Sequence, residues 1–223
     1  MERDKKSHTG KGYERKQGKR RDRSRTPVKL IDPITYVLDF LSQGRGIGSP
    51  RREPLHPIVY ALGTKYFSIL EIHFKEATIS IEPQEKLNLE NHRTEISQLR
   101  QLEYLQLSNE ARLEVPDVIN KIVYEEEKRF IEFFNTARPI TNRLHQLRLL
   151  PGIGETRMWD ILEARKKAEF ESYQDLKERT KISNPQRLIS TRILEEIERD
   201  EKHLLFVRKK RERTNDHSSR RSF

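Results

Sequence analysis

"LLPGIGETRMWDILEAR", residues 149–165, sets Gly152 and Gly154 one residue apart between apolar neighbours, directly before a helix-like run. Glycine lets the backbone turn tightly and lets an anion approach amides that a Cβ would shield. A helix beginning near Glu155 turns its unbonded N–H groups and positive dipole end toward the same anion. Leu149, Leu150 and Ile153 are spaced to pack on Met158, Ile161 and Leu162, and Thr156 and Arg157 fall on the first helical turn. Gly152, Ile153, Gly154, Thr156 and Arg157 are therefore candidate phosphate contacts. Glu155 suits a helix start but repels a close phosphate.

Residues 143–165 resemble a helix-hairpin-helix motif, with "RLHQLRL" as first helix, "LPGIG" as hairpin and "ETRMWDILEAR" as second helix. Downstream, "FESYQDLKERTKISNPQRLISTRILEEI" at 170–197 is similar to the second half of the tandem helix-hairpin-helix domains of bacterial competence DNA receptors. There a phrase like FxSxxDL joins two hairpins, and Phe170, Ser172, Asp175 and Leu176 match it. The second hairpin, "KISNPQR" at 181–187, has no glycine, which assigns it a structural role. A helical pair used only as scaffold is the competing reading.

Upstream the hydrophobic period changes. "YVLDFL" reads as a strand over Tyr36–Leu41, and "IVYALGTKYFSILEIHFK" as two strands, Ile58–Leu62 and Tyr66–His73, turning at Gly63–Thr64. "ATISIEP" and "EKLNLE" add another strand or two. Short strands at this density suggest a small barrel resembling an oligonucleotide-binding (OB) fold, whose closure removes sheet edges, with a small unclosed sheet as the alternative. Between the first two strands, "SQGRGIGSPRREPLHP" is a loop whose Arg45, Arg51 and Arg52 are candidate phosphate contacts.

Between the strands and the hairpin the period is helical. Ile96, Leu99, Leu102 and Leu105 form one stripe, and Val118, Ile119, Ile122, Val123, Phe130, Ile131 and Phe134 a second. Pro116 is placed in a first helical turn, Pro139 stops the helix, and a short helix over 140–149 leads into the hairpin. "YEEEKR" at 124–129 and Glu195, Glu196 and Glu198 read as solvated faces, because consecutive helical positions point apart. The expected organisation is a basic tail 1–27, a small OB-like barrel 28–92, a helical connector 93–135, a tandem helix-hairpin-helix domain 136–203, and a C-terminal strand and basic tail 204–223. The fold class is α+β with disordered basic tails.

The order of these parts resembles an archaeal family, domain of unknown function 655. The matching stretches are Tyr36–Asp39, Tyr66–Glu71, Tyr124–Lys166, Phe170–Arg179, Arg192–Glu198 and Leu205–Arg208. The resemblance implies a nucleotide- or RNA-binding protein with a small barrel followed by helix-hairpin-helix, its genes lying beside translation and ribosomal-RNA modification genes. The basic tails and the glycine-arginine loop 43–52 are departures from that pattern.

Charge supports a polyanion partner. The net charge is +10, yet residues 1–27 carry 11 Lys/Arg against 4 Asp/Glu, residues 208–223 carry 7 against 2, and the remainder 27 against 29. Lys19, Arg20, Arg21, Arg23 and Arg25 are the densest run and join the candidate contacts, since each cation near a phosphate releases a counterion. With no cysteine there is no disulfide or thiolate site, and no histidine pair has the spacing of a zinc-binding helix. No apolar run approaches the roughly 20 residues of a membrane span, and the N-terminus lacks the apolar stretch of a signal peptide. A soluble, cytoplasmic protein without membrane contact is expected.

The expected function is non-catalytic nucleic-acid binding, RNA favoured over DNA and ribosome-associated in its most concrete form, with no cofactor, metal or catalytic residues. Tyr36, Tyr60, Tyr66, Phe67 and Phe74 are candidates for base stacking. The alternatives are a DNA-binding protein, a nuclease using the hairpin for grip, and a protein-docking adaptor of the translation machinery acting through residues 94–135. No compact Asp-rich motif, phosphate-cradling lysine loop or matched nucleophile and base supports catalysis.

Overall fold

The computed structural model describes residue 30 and residues 32–44, 56–75 and 81–209. Five strands, β1 (Ile34–Leu41), β2 (Ile58–Gly63), β3 (Ile69–Phe74), β4 (Lys86–Asn88) and β5 (Ile96–Gln101), form one antiparallel sheet in the order β4-β1-β2-β3-β5. Period-two alternation divides the side chains. Tyr36, Leu38, Ile58, Tyr60, Leu62 and Ile69 face the helices, while Val37, Val59, Ala61, Leu70, Ile72 and Phe74 fill a second core.

That second core takes Leu87 from β4 and Ile96 from β5, the two edge strands. The sheet therefore curls around it without closing, because no hydrogen-bonded pair joins β4 to β5. The expected barrel is corrected to an open sheet. Residues 77–80 of the expected "ATISIEP" strand lie outside the described residues, and 81–83 are not a strand.

The stripe Ile96, Leu99, Leu102, Leu105 is not helical. Residues 96–101 pair with β3, Ile96 opposite Phe74 and Leu99 opposite Ile72. An edge strand buries few side chains, so its apolar residues need not alternate strictly, and a three-residue spacing arises without a helix.

The helices begin at Ser108. Its hydroxyl accepts the Ala111 N–H and donates to Asp39 of β1, which caps α1 (Asn109–Glu125) and ties it to the sheet. Ala111, Val115, Val118, Ile119, Ile122 and Val123 make its buried face. Pro116 lies inside this helix, not in its first turn; the start is set earlier, by Ser108.

After Glu126, α2 (Glu127–Thr136) buries Phe130, Ile131 and Phe134, so the second sequence stripe is core throughout. The acidic run between the helices is not a plain solvated face. Glu125 accepts from the Tyr36 hydroxyl at 2.5 Å and from Lys86 at 3.1 Å. The Tyr36 hydroxyl, with Lys86 and Lys121, holds the Glu125 carboxyl below its usual range.

Beyond Pro139 the chain forms a two-stranded ribbon, β6 (Pro139–Thr141) and β7 (Leu144–His145), then a 3-10 turn at Gln146–Leu149. The expected helix over 140–149 is absent because local side chains capture the backbone: Thr141 Oγ1 accepts from Arg143 and Leu144, and His145 Nδ1 from Leu147.

Helices α3 (Glu155–Lys167), α4 (Tyr173–Arg179) and α5 (Pro185–Glu198) follow. Between α3 and α4, Phe170 is buried, Ser172 caps α4 by accepting from Asp175 N–H, and Asp175 accepts from Glu171 N–H and Arg179. Arg179 in turn donates to the Ala164 and Ala168 carbonyls at the end of α3. The FxSxxDL phrase is thus the wiring of a tight interhelical joint.

Residues 204–209 contain no strand. Instead the Glu196 carboxylate, fully buried, accepts the N–H groups of Leu205, Phe206 and Val207 at 2.7, 3.0 and 3.0 Å, and the Arg208 N–H donates to the Tyr66 carbonyl. Glu196 is the exception to the solvated face expected for Glu195, Glu196 and Glu198. At the same turn, buried Asp32 accepts the N–H groups of Lys65, Tyr66 and Ser68. A Cβ on Gly63 would lie 2.2 Å from an Asp32 carboxylate oxygen, so this close approach requires glycine. No helix among the described residues is long and apolar enough to cross a membrane.

Candidate nucleic-acid interface

The ribbon and the 3-10 turn aim Leu147 and Leu150 into the core and leave residues 151–157 at the surface, with Ile153 folded inward as the anchor. Gly152 has φ +78°, where a side chain is strained. Gly154 is the N-cap of α3 in extended conformation, and a Cβ built there meets no atom within 4 Å. Its face toward solvent is open.

The amides divide into two groups. The Ile153 N–H donates to the Leu150 carbonyl at 3.1 Å, so its expected role as a phosphate contact through that amide is corrected: the residue anchors the turn. The N–H groups of Gly152, Gly154, Glu155, Thr156 and Arg157 have no acceptor among the described residues, because Met158 makes the first helical bond, to Gly154, and Gly154 offers no side chain. Arg157 bends back, its guanidinium donating to the Gly152 carbonyl at 2.8 Å. A cation thus sits beside five free donors.

Three further exposed arginines lie on the segment that leads into the turn. Arg148 donates to the Arg143 carbonyl, and Arg138 exchanges bonds with Gln146 at the foot of the ribbon. Arg138, Arg143, Arg148 and Arg157 have no carboxylate in ion-pair contact among the described residues. Trp159, the chain's one tryptophan, is 50% exposed on α3 just past Arg157. Beneath, His145 is held below the ordinary imidazole range by burial and by the Arg165 charge, consistent with Nδ1 serving as an acceptor.

Of the residues expected from sequence, Gly152, Gly154, Thr156 and Arg157 are brought together here. Arg45, Arg51, Arg52, Lys19, Arg20, Arg21, Arg23 and Arg25 lie outside the described residues. Among the five stacking candidates, Tyr36, Tyr60, Phe67 and Phe74 are core, and Tyr66 alone is partly exposed. Sequence reasoning passed over Trp159, Arg138, Arg143 and Arg148. Their signal was available: Arg138, Arg143 and Arg148 recur every five residues through a segment of turn formers.

The family model described as "Protein of unknown function (DUF655)" matches residues 31–208. The chain belongs to this family. A relative in Methanocaldococcus jannaschii, uncharacterized protein MJ0038, is 36% identical over 198 residues, covering 85% of this chain and 88% of its own. The crystal structure of Af1531 from Archaeoglobus fulgidus, a DUF655 protein, matches with TM-score 0.68 at 34% identity, over 79% of this chain and all of that one. The DUF655 match spans the curled sheet, the hairpin and α3–α5, so both halves of the body belong to the family's common structure.

Proposed function

We propose that this chain is a non-catalytic nucleic-acid-binding protein of the translation machinery, taking RNA in preference to DNA. The observation that carries the reading is the cluster of free amides at Gly152, Gly154 and the first turn of α3, with the Arg157 guanidinium bonded to the Gly152 carbonyl and Arg138, Arg143 and Arg148 on the segment that leads into it. Amides and guanidinium groups converge on phosphate oxygens, which fixes a strand's position without reading its sequence. The joint with the α4–α5 pair gives this hairpin the support that one half of a tandem helix-hairpin-helix gives the other. The curled sheet serves as an OB-like platform, and half-exposed Trp159 is the aromatic for stacking.

The deciding experiment is Gly154→Asp, with binding read by fluorescence anisotropy of labelled oligouridine and oligodeoxythymidine. Aspartate fits the open Cβ position and is a better N-cap than glycine. Folding should be unchanged or slightly improved while affinity falls about tenfold, roughly 1.4 kcal/mol. Unchanged affinity overturns the hairpin's role.

A second reading, protein docking, draws on Leu105 and Leu113, both more than 70% exposed at the start of the helical region. Ribosome association that survives nuclease treatment would favour it over the first.

A further inference from the structure

The outward side of α1 carries a repeat. Glu110, Leu113, Asp117, Asn120 and Tyr124 are exposed and follow one another at steps of three, four, three and four residues. At about 100° per residue they fall on one stripe, opposite the buried face that packs on the sheet and on α5. Alternating steps of three and four are the seam of a helix that lies along a second helix. A single exposed apolar residue is ordinary. Here Leu113 is 77% and Tyr124 76% exposed, in one seam, with a polar pair between them.

The seam reads the same from both ends. When a second copy of α1 is laid antiparallel, centred between Val118 and Ile119, Leu113 meets Tyr124 of the second copy, and Asp117 meets Asn120 of the second copy. Each layer occurs twice. Leucine against tyrosine buries apolar surface on both sides, and the Asn120 amide donates to the Asp117 carboxylate, which fixes the register as a polar layer does in a coiled coil. The Asp117 and Asn120 side chains have no partner among the described residues, so no existing bond is given up. A parallel pair would instead set Asp117 against Asp117 and Glu110 against Glu110, which like charge opposes. Glu127 belongs to α2 beyond the bend at Glu126 and accepts the Tyr173 N–H, so it is turned away from the seam.

We infer that the outer stripe of α1 is an interaction surface whose partner is a second copy of this chain, packed antiparallel through Leu113, Asp117, Asn120 and Tyr124. Leu113 is then covered by another copy rather than by a foreign protein. The surface shares no residue with the hairpin, and self-association stands whether or not the chain binds nucleic acid. Two apolar and two polar layers are small beside the roughly 1,200–2,000 Å² of stable interfaces. The dimer therefore exchanges with monomer, and its population rises with concentration.

The test is sedimentation equilibrium of the nuclease-treated full chain from micromolar to near-millimolar concentration, with thermal melts as the folding control. A monomer–dimer equilibrium is expected. Leu113→Ser and Tyr124→Ser, both at exposed sites, should fold and each weaken dimerisation about tenfold. Asn120→Asp opposes carboxylates twice and should weaken it at least as much, whereas Asp117→Asn/Asn120→Asp restores the pair in reverse and should recover it. Because the chain has no cysteine, oxidation reads the orientation: Leu113→Cys and Tyr124→Cys chains should crosslink when mixed, and neither should alone. A chain that stays monomeric, a dimer untouched by these changes, a double variant no better than Asn120→Asp, or crosslinking within the Leu113→Cys chain alone would overturn the inference.

Discussion

Glu196 accepts the Arg192 Nε–H at 2.9 Å, one helical turn apart on α5, and both side chains are buried. The pair faces the returning C-terminal segment: the same carboxylate takes three consecutive N–H groups of residues 205–207, and the guanidinium donates to the His203 carbonyl. Glu196→Ala leaves the Arg192 Nε–H and three amides without their acceptor. A loss of about 3–5 kcal/mol is expected, measured by denaturant unfolding, with faster amide exchange at 205–208. A loss under about 1 kcal/mol would show the pair to be dispensable.

Gly152→Ala tests the hairpin's geometry without adding charge. Alanine at φ +78° costs about 1–2 kcal/mol. The melting temperature should fall, and the Arg157 contact to the residue 152 carbonyl should loosen. An unchanged melt would show that the turn relaxes freely.

Ile153→Asp would be a poor probe of phosphate binding. The side chain is core and its amide is already bonded within the turn, so this variant should lose stability by several kcal/mol, about the cost of burying a charge without a partner. Circular dichroism against temperature distinguishes that outcome from a folded protein with weakened binding.

Gly63→Ala brings a methyl group into the Asp32 carboxylate. Because the obstructing atoms belong to a buried side chain that holds three turn amides, relief requires Asp32 to move and release them. Destabilisation near the upper end of the usual overpacking range, about 3 kcal/mol, is expected. Near-neutral stability in a chemical melt would show that Asp32 shifts without cost.

Acid should loosen the hairpin's base. His145 titrates below its ordinary range in the folded chain, so the unfolded chain takes up its proton first as pH falls. The contribution is fully present above the unfolded value of about 6.5 and is lost progressively below it, down to the depressed folded value. Stability of the wild type should decline with pH across that window, and His145→Gln should flatten the decline. Parallel pH profiles for the two would exclude His145 as the cause.

What was legible in the sequence followed from how much each segment buries. Strands β1 to β3 and the stripe Val118–Phe134 could be read because they are buried along their length, the strands against a core on each face and the helices along one face. The segment Ile96–Gln101 was misread because an edge strand imposes little, and the run 143–149 because Thr141 and His145 divert backbone bonds that a helical pattern does not record. At the candidate site the glycines and Arg157 stood out by spacing. The withdrawn Ile153 amide did not, since a turn bond depends on where Leu150 is held. Glu196 looked like any acid in a charged helix; only the returning chain makes it a buried acceptor.

The meeting of Asp32 and Arg208 on Tyr66 makes the body almost a closed loop of polypeptide. A body whose first and last described segments meet at one turn can be cut and rejoined: a short linker across that turn, with new termini opened at the exposed ribbon turn Asn142–Arg143, would leave every strand pairing of the five-stranded sheet within one continuous polypeptide. In such a circular permutant the order of the elements along the chain changes while their packing stays, which separates the fold's connectivity from its architecture.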